Sequence, residues 1–224
     1  MLTLSVRQGV TAAALAAACL LALASAPAFA PAQGCGGVQK RQALKPAAGG
    51  RAPLIVGDSV LLGAMPQVAR AGLQINAHGC RGWSEGMAVL RALRRAGTLP
   101  PAVVIMLGTN YGITRASIRT ALAIVGPDRA LVLLTPREVL GEEGSDATAV
   151  RAAGIAYPDR LLVLDWARHT RARGSWFQPD GIHLTARGAA GLARFLAAVR
   201  PYAGGIPVAQ SDVRPGERVA APLP

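Results

Sequence analysis

Five short apolar runs, each followed by a longer amphipathic stretch, constrain the fold more than any other feature of this chain. The runs are Leu54 to Val56, Leu73 to Ala77, Val103 to Leu107, Ala130 to Leu134 and Leu161 to Leu164. Each is short and has strand length, as expected of buried strands, and most end in turn residues. Stretches around 60–71, 84–96, 115–125 and 146–153 have helical length and spacing, and a last one runs from Ala186 to Val199. Strand-helix alternation of this kind predicts an α/β domain with a five-stranded parallel sheet, helices on both faces and right-handed crossovers. Ligands of such sheets gather beyond the carboxyl ends of the strands, so the residues just after each apolar run carry the functional information.

The chain has 224 residues, 51% of them hydrophobic and 16% charged, with a mean hydropathy of +0.33. That is one domain's worth of core and far from a disordered composition. Three cysteines without C-x-x-C or H-E-x-x-H spacing give neither a zinc cage nor a disulfide-dense miniprotein, and no metal is expected. Neither G-x-G-x-x-G nor the Walker spacing occurs, so no nucleotide cofactor is expected. The net charge of +12 raises nucleic-acid binding, yet all but two of the 24 basic residues are arginine in a chain rich in Ala, Gly and Pro, as G- and C-rich coding produces without any partner. Arg91, Arg94 and Arg95 cluster, but no aromatic-studded basic motif occurs. Loose attraction to an anionic envelope polymer is the expectation that the charge leaves; no nucleic acid and no oligomer are expected.

Residues 1–32 read as a secretory signal peptide: one early charge at Arg7, an apolar Ala and Leu run from Ala12 to Ala24, and a small-residue site at Ala30-Pro31-Ala32. An uncleaved membrane anchor is the alternative. Cleavage after Ala32 removes Cys19 and leaves Cys35 and Cys80, an even pair that invites a disulfide in an oxidising compartment; two separate thiols are the other reading. Residues 33–52 are expected to be a flexible segment, 53–202 the domain, and 203–224 a Pro-rich flexible tail.

Four segments stand at strand ends. Gly57-Asp58-Ser59 follows the first run and places Ser59 at a helix start, where a serine is most often an N-cap. His78-Gly79-Cys80-Arg81-Gly82 follows the second; its glycines suit a bare turn as well as a backbone donor. Gly108-Thr109-Asn110 follows the third, and Asn110 either donates its amide into the crevice or closes an Asx turn. Asp180-Gly181-Ile182-His183 precedes the last helix, with a carboxylate spaced to orient an imidazole base. His78 and His169 have no such partner nearby in sequence, and His169, among Arg168, Arg171 and Arg173, reads as solvated.

Taken in order, the segments GDS, Gly, GTN and DxxH resemble the four blocks of the SGNH hydrolases, the GDSL-like esterases; Ile55 to Gly63 and Asp180 to Thr185 with Gly188 carry most of the likeness. The resemblance spans about residues 54–200. It implies a flavodoxin-like three-layer α/β/α sandwich. It also implies Ser59 as nucleophile, His183 as general base, Asp180 as the residue orienting that base, and an oxyanion hole from the N–H groups of Ser59 and Gly79 with the Asn110 amide. Leu134-Thr135-Pro136-Arg137, Tyr157-Pro158, Leu164-Asp165-Trp166 and Trp176 to Asp180 look like the exported SGNH domains that trail a membrane acyltransferase, with Arg137-Glu138 departing from an expected Arg-Pro-Trp. That likeness implies O-acyl esters on a cell-envelope carbohydrate, taken by a secreted esterase or, with a sugar hydroxyl replacing water, by an acyltransferase.

Overall fold

A computed structural model describes residues 35–44, 51–110 and 112–204, which belong to one compact unit starting at Cys35. The expected signal peptide, residues 33–34 and 45–50 of the 33–52 segment and the tail from residue 205 lie outside the described residues. The strands are β1 (Gln39–Arg41), β2 (Leu54–Gly57), β3 (Gln74–Ala77), β4 (Ala102–Met106), β5 (Ala130–Leu134) and β6 (Leu161–Leu164). The helices are α1 (Ser59–Leu62), α2 (Met65–Arg70), α3 (Trp83–Arg95), α4 (Arg115–Val125), α5 (Ser145–Ala156), α6 (Trp166–His169) and α7 (Ala186–Leu196). The sheet order is β1-β3-β2-β4-β5-β6. β2 to β6 are parallel, as the alternation predicts, and β1 runs antiparallel along β3.

The expected five-stranded sheet therefore has six strands. The sixth comes from the 33–52 segment read as flexible, because an exposed Gln-Lys-Arg edge strand shows no apolar face to read. The expected helix over 60–71 is two short ones. Pro66 stands in the first turn of α2, where a missing N–H costs nothing, whereas in a continuous helix it would break a bond.

Successive strand residues feed two separate layers. Ile55, Val104, Met106, Val132 and Leu134 pack with α1, α2 and α7 on one face. Leu54, Val56, Val103, Ile105, Leu131 and Leu133 pack with α3, α4 and α5 on the other. Burial on both sides explains the unbroken apolar runs of β2, β4, β5 and β6. Helix starts are fixed by side-chain oxygens: Thr114 and Ser117 form a reciprocal capping box on α4, Thr185 accepts the Gly188 N–H on α7, and Glu138 Oε1 accepts three N–H groups opening α5. Among the described residues, no helix is long and apolar enough to cross a membrane.

Candidate active site

With β3 on one side of β2 and β4 on the other, the chain reverses its direction of winding at β2, and a crevice opens above the carboxyl ends of β2 and β4. Ser59 stands at the end of β2 and Asn110 just past the end of β4. Gly57 leaves no room for a side chain, since a Cβ there would lie 2.7 Å from Leu61 Cδ2 and 3.1 Å from the Met106 carbonyl. The turn is thus dictated by packing, and it delivers Asp58 and Ser59 to the opening of α1.

Asp58, not Ser59, caps that helix: its Oδ1 accepts the Val60 N–H at 3.0 Å. Ser59 is freed from the capping duty that a serine in this position usually has. Its Oγ lies 3.0 Å from His183 Nε2, and His183 Nδ1 lies 2.7 Å from Asp180 Oδ2. Asp180 Oδ1 accepts the N–H groups of Ile182 and His183 at 2.8 and 2.9 Å. Against partial burial, which acts upward, these N–H groups and the His183 ring hold the Asp180 carboxyl below its ordinary value. An ionised carboxylate only accepts, so Nδ1 carries a proton; in the neutral ring Nε2 is then the acceptor for the Ser59 hydroxyl. Gly181, at φ 71°, supplies the left-handed residue that folds this loop back on Asp180.

The Asn110 amide reaches into the same crevice, with Nδ2 at 3.4 Å from Asp58 Oδ2 and 3.5 Å from the Arg81 carbonyl. Both contacts are long, so the amide is weakly engaged. Its loop is pinned downstream by Asp146, whose Oδ2 accepts the Ile113 N–H at 2.7 Å. Gly79 lies in the loop after β3, where a Cβ would run into the backbone carbonyl of Cys35. The left-handed residue of that loop is Cys80, at φ 54°, and Cys80 and Cys35 are joined in a disulfide with Cα atoms 5.3 Å apart.

Two charged residues here escaped sequence reasoning. Burial pushes the Asp58 carboxyl from 3.8 to about 6, against the pull of the Val60 N–H, His183 and Arg81. Arg81 is wholly buried: Nη1 donates to the carbonyls of Gly57 (3.0 Å) and Asn76 (2.7 Å), and Nη2 donates to Asn76 Oδ1 (2.9 Å). Burial lowers its guanidinium from the ordinary value, with Glu85 and Asp58 opposing. Arg137 braces the other rim: Nε donates to the Gly181 carbonyl at 2.8 Å, and its guanidinium lies 4.1 Å above the Phe177 ring. Val60, Thr109, Pro136, Arg137, Trp166 and Ile182 help line a small pocket, and three of them are immediate neighbours in sequence of Ser59, Asn110 and His183.

His169, read as solvated, is instead packed among rings, 4.6 Å from Phe195 and 5.9 Å from Trp166; burial and Arg173 lower its pKa. His78 does have partners, the Glu85 carboxylate and the Gly36 carbonyl.

The sheet order and the residues at its carboxyl edge define the class: the chain has the SGNH hydrolase fold, and the resemblance drawn from the four sequence blocks is upheld. No family model matches the chain. It is 28% identical over 146 residues to the peptidoglycan O-acetyltransferase OatA of Listeria monocytogenes, a match covering 64% of this chain and 23% of that protein. A match to YrhL of Bacillus subtilis, 27% identical over 153 residues, covers 67% of this chain and 24% of that protein. The chain thus spans about a quarter of the length of these curated relatives. Among solved structures, the C-terminal catalytic domain of Streptococcus pneumoniae peptidoglycan O-acetyltransferase A, with a methylsulfonyl adduct, superposes with a TM-score of 0.58 at 20% identity, covering 67% of this chain and 93% of that one. A carbohydrate esterase family 3 enzyme from Talaromyces cellulolyticus gives 0.50 at 14% identity, covering 66% and 95%.

Proposed function

We propose that this protein is an exported acyl-handling serine enzyme acting on O-acyl esters, above all O-acetyl esters, of a cell-envelope carbohydrate. The observation that carries the reading is the unbroken relay Ser59 Oγ, His183 Nε2, His183 Nδ1 and Asp180 Oδ2, with contacts of 3.0 and 2.7 Å. In this reading Ser59 Oγ attacks the ester carbonyl while His183 Nε2 takes its proton, and the Asp180 carboxylate stabilises the imidazolium. The N–H groups of Ser59 and Gly79 and the Asn110 amide receive the developing oxyanion. Collapse of the tetrahedral adduct passes the proton from His183 to the leaving alkoxide. The acyl-serine then yields to an oxygen nucleophile, whose proton returns through His183 to Ser59.

Water as that nucleophile makes the protein an esterase, and a glycan hydroxyl makes it an acyltransferase. The likeness to the peptidoglycan O-acetyltransferase OatA, at 28% identity, favours keeping the second outcome beside the first. Residues 1–32 act as the export signal in this reading.

A fluorophosphonate probe tests the site: it should label the wild-type protein and leave Ser59→Ala unlabelled. Equal labelling of both, or of neither, would remove Ser59 as the nucleophile. Product analysis with a nitrophenyl acetate donor and chitooligosaccharide acceptors separates hydrolysis from transfer, and mass spectrometry of the exported N-terminus tests cleavage after Ala32.

A further inference from the structure

The segment from Cys35 to Arg41 is fastened to the loop after β3 in several independent ways. β1 pairs with β3 in the register Gln39 to Ala77, Lys40 to Asn76 and Arg41 to Ile75. The disulfide joins Cys35 to Cys80, and the Cys35 backbone lies so close to Gly79 that only glycine fits there. His78 Nε2 is 2.7 Å from the Gly36 carbonyl, and His78 Nδ1 is 2.6 Å from Glu85 Oε1. The ring thus links the Gly36 carbonyl of the strap to the first turn of α3.

This strap has little else to hold it. Residues 35–42 are exposed, and a three-residue polar edge strand is marginal without covalent help. The loop beneath also holds Cys80 in the left-handed region, which a residue with a side chain avoids unless its surroundings impose it. From below, the Arg81 guanidinium fixes the loop's far end against β2 and β3. Cys80 and Gly82 also line a separate surface cleft between α3 and α4, apart from the pocket beside Ser59.

We propose that the Cys35–Arg41 strap is a positioning element of the active site: through the disulfide and β1 it holds His78-Gly79-Cys80 in the turn that aims the Gly79 N–H at the substrate oxyanion. The proposal rests on the reading of Gly79 as an oxyanion donor. The strap touches no reacting atom. It sets the place of a donor whose displacement by about 1 Å costs a rate factor of about 10².

The test uses the full-length protein in oxidised form, Cys35→Ser, and the double variant Cys35→Ser with Cys80→Gly. It compares nitrophenyl acetate kinetics well below each melting temperature with amide hydrogen exchange over residues 74–82. Cys35→Ser is expected to lower kcat by roughly 10- to 100-fold with KM within about twofold, and to speed exchange in the loop. Adding Cys80→Gly is expected to recover roughly threefold or more of kcat, because glycine takes the left-handed conformation without the strap's constraint. A lowered melting temperature with unchanged kcat per folded molecule would overturn the proposal and leave the disulfide a stabilising tie alone. Unchanged exchange over residues 74–82 would overturn it as well. A wild-type protein inert toward ester and fluorophosphonate would defeat the esterase reading itself, a failure distinct from either of these because the exchange data are read without activity.

Discussion

Replacing Arg81 by methionine isolates the buried guanidinium that ties the first two strand-end loops together. Methionine fills much of the same volume but gives up the donors to Gly57, Asn76 and the Asn76 side chain. The Gly57 carbonyl keeps the His78 N–H at 3.2 Å, so its loss is partial, whereas the Asn76 amide oxygen loses a buried charged donor outright. Charge-assisted bonds contribute about 1.5–3 kcal/mol each, and relief of a buried charge offsets part of their sum. The balance is a destabilisation of about 3 kcal/mol, or roughly 6–12 °C in Tm for a domain of this size. Arg81→Lys keeps the charge but not the fork, and should fall between the two. Urea denaturation of the three proteins at pH 7.5 provides the measurement. A methionine variant within about 1 kcal/mol of wild type would show that the guanidinium is merely tolerated where it lies, and the argument from its bonds would be wrong.

Asn110→Ala should lower kcat by roughly 10² to 10³ with KM near its original value, whereas an Asx-turn role would cost about 1 kcal/mol of stability and leave turnover intact; ester kinetics beside melting curves separate the two. Asp58, raised to about 6 by burial, binds its proton more tightly folded than unfolded, so its contribution to stability is full below about pH 4 and is lost as pH rises through about 6. Asp58→Asn should therefore gain on wild type across that window, by about 3 kcal/mol from end to end; a stability difference that stays flat from pH 4 to 7 would contradict it. Gly188→Ala would drive a methyl group into the Trp176 carbonyl and should cost about 2–3 kcal/mol, read as a shift in the urea midpoint at constant slope.

The parallel core was legible because strands buried on both sides must be apolar throughout, and Ala130–Leu134 and Leu161–Leu164 fall where the runs place them. The meeting of Ser59, Asp180 and His183 was legible because all three are polar side chains near strand ends, which the sheet order then brings together. What escaped is held by backbone or distant atoms. Arg81 looks like one more arginine in an arginine-rich chain, since its acceptors are mostly carbonyls, which leave no mark in the sequence. Asp58 lay within the GDS segment, yet its burial to 1% exposure depends on how the surrounding loops close. The ring of His169 meets Phe195, 26 positions away, and local charge could not announce that contact. β1 is polar and exposed, so periodicity had nothing to detect.

Ser59 and His183 are separated by 124 positions, one opening the first helix after β2 and the other just ahead of α7. A ribosome delivers the serine long before the imidazole that faces it, and a chain threaded through a membrane pore in extended form would keep the two apart. Until the final loop and helix have closed on the sheet, the hydroxyl lacks the imidazole contact that Asp180-Gly181-Ile182-His183 brings to it. Under the mechanism we propose, reactivity would thereby be postponed to the last stage of assembly, and a fragment cut off upstream of residue 183 would be chemically silent however well its sheet had formed.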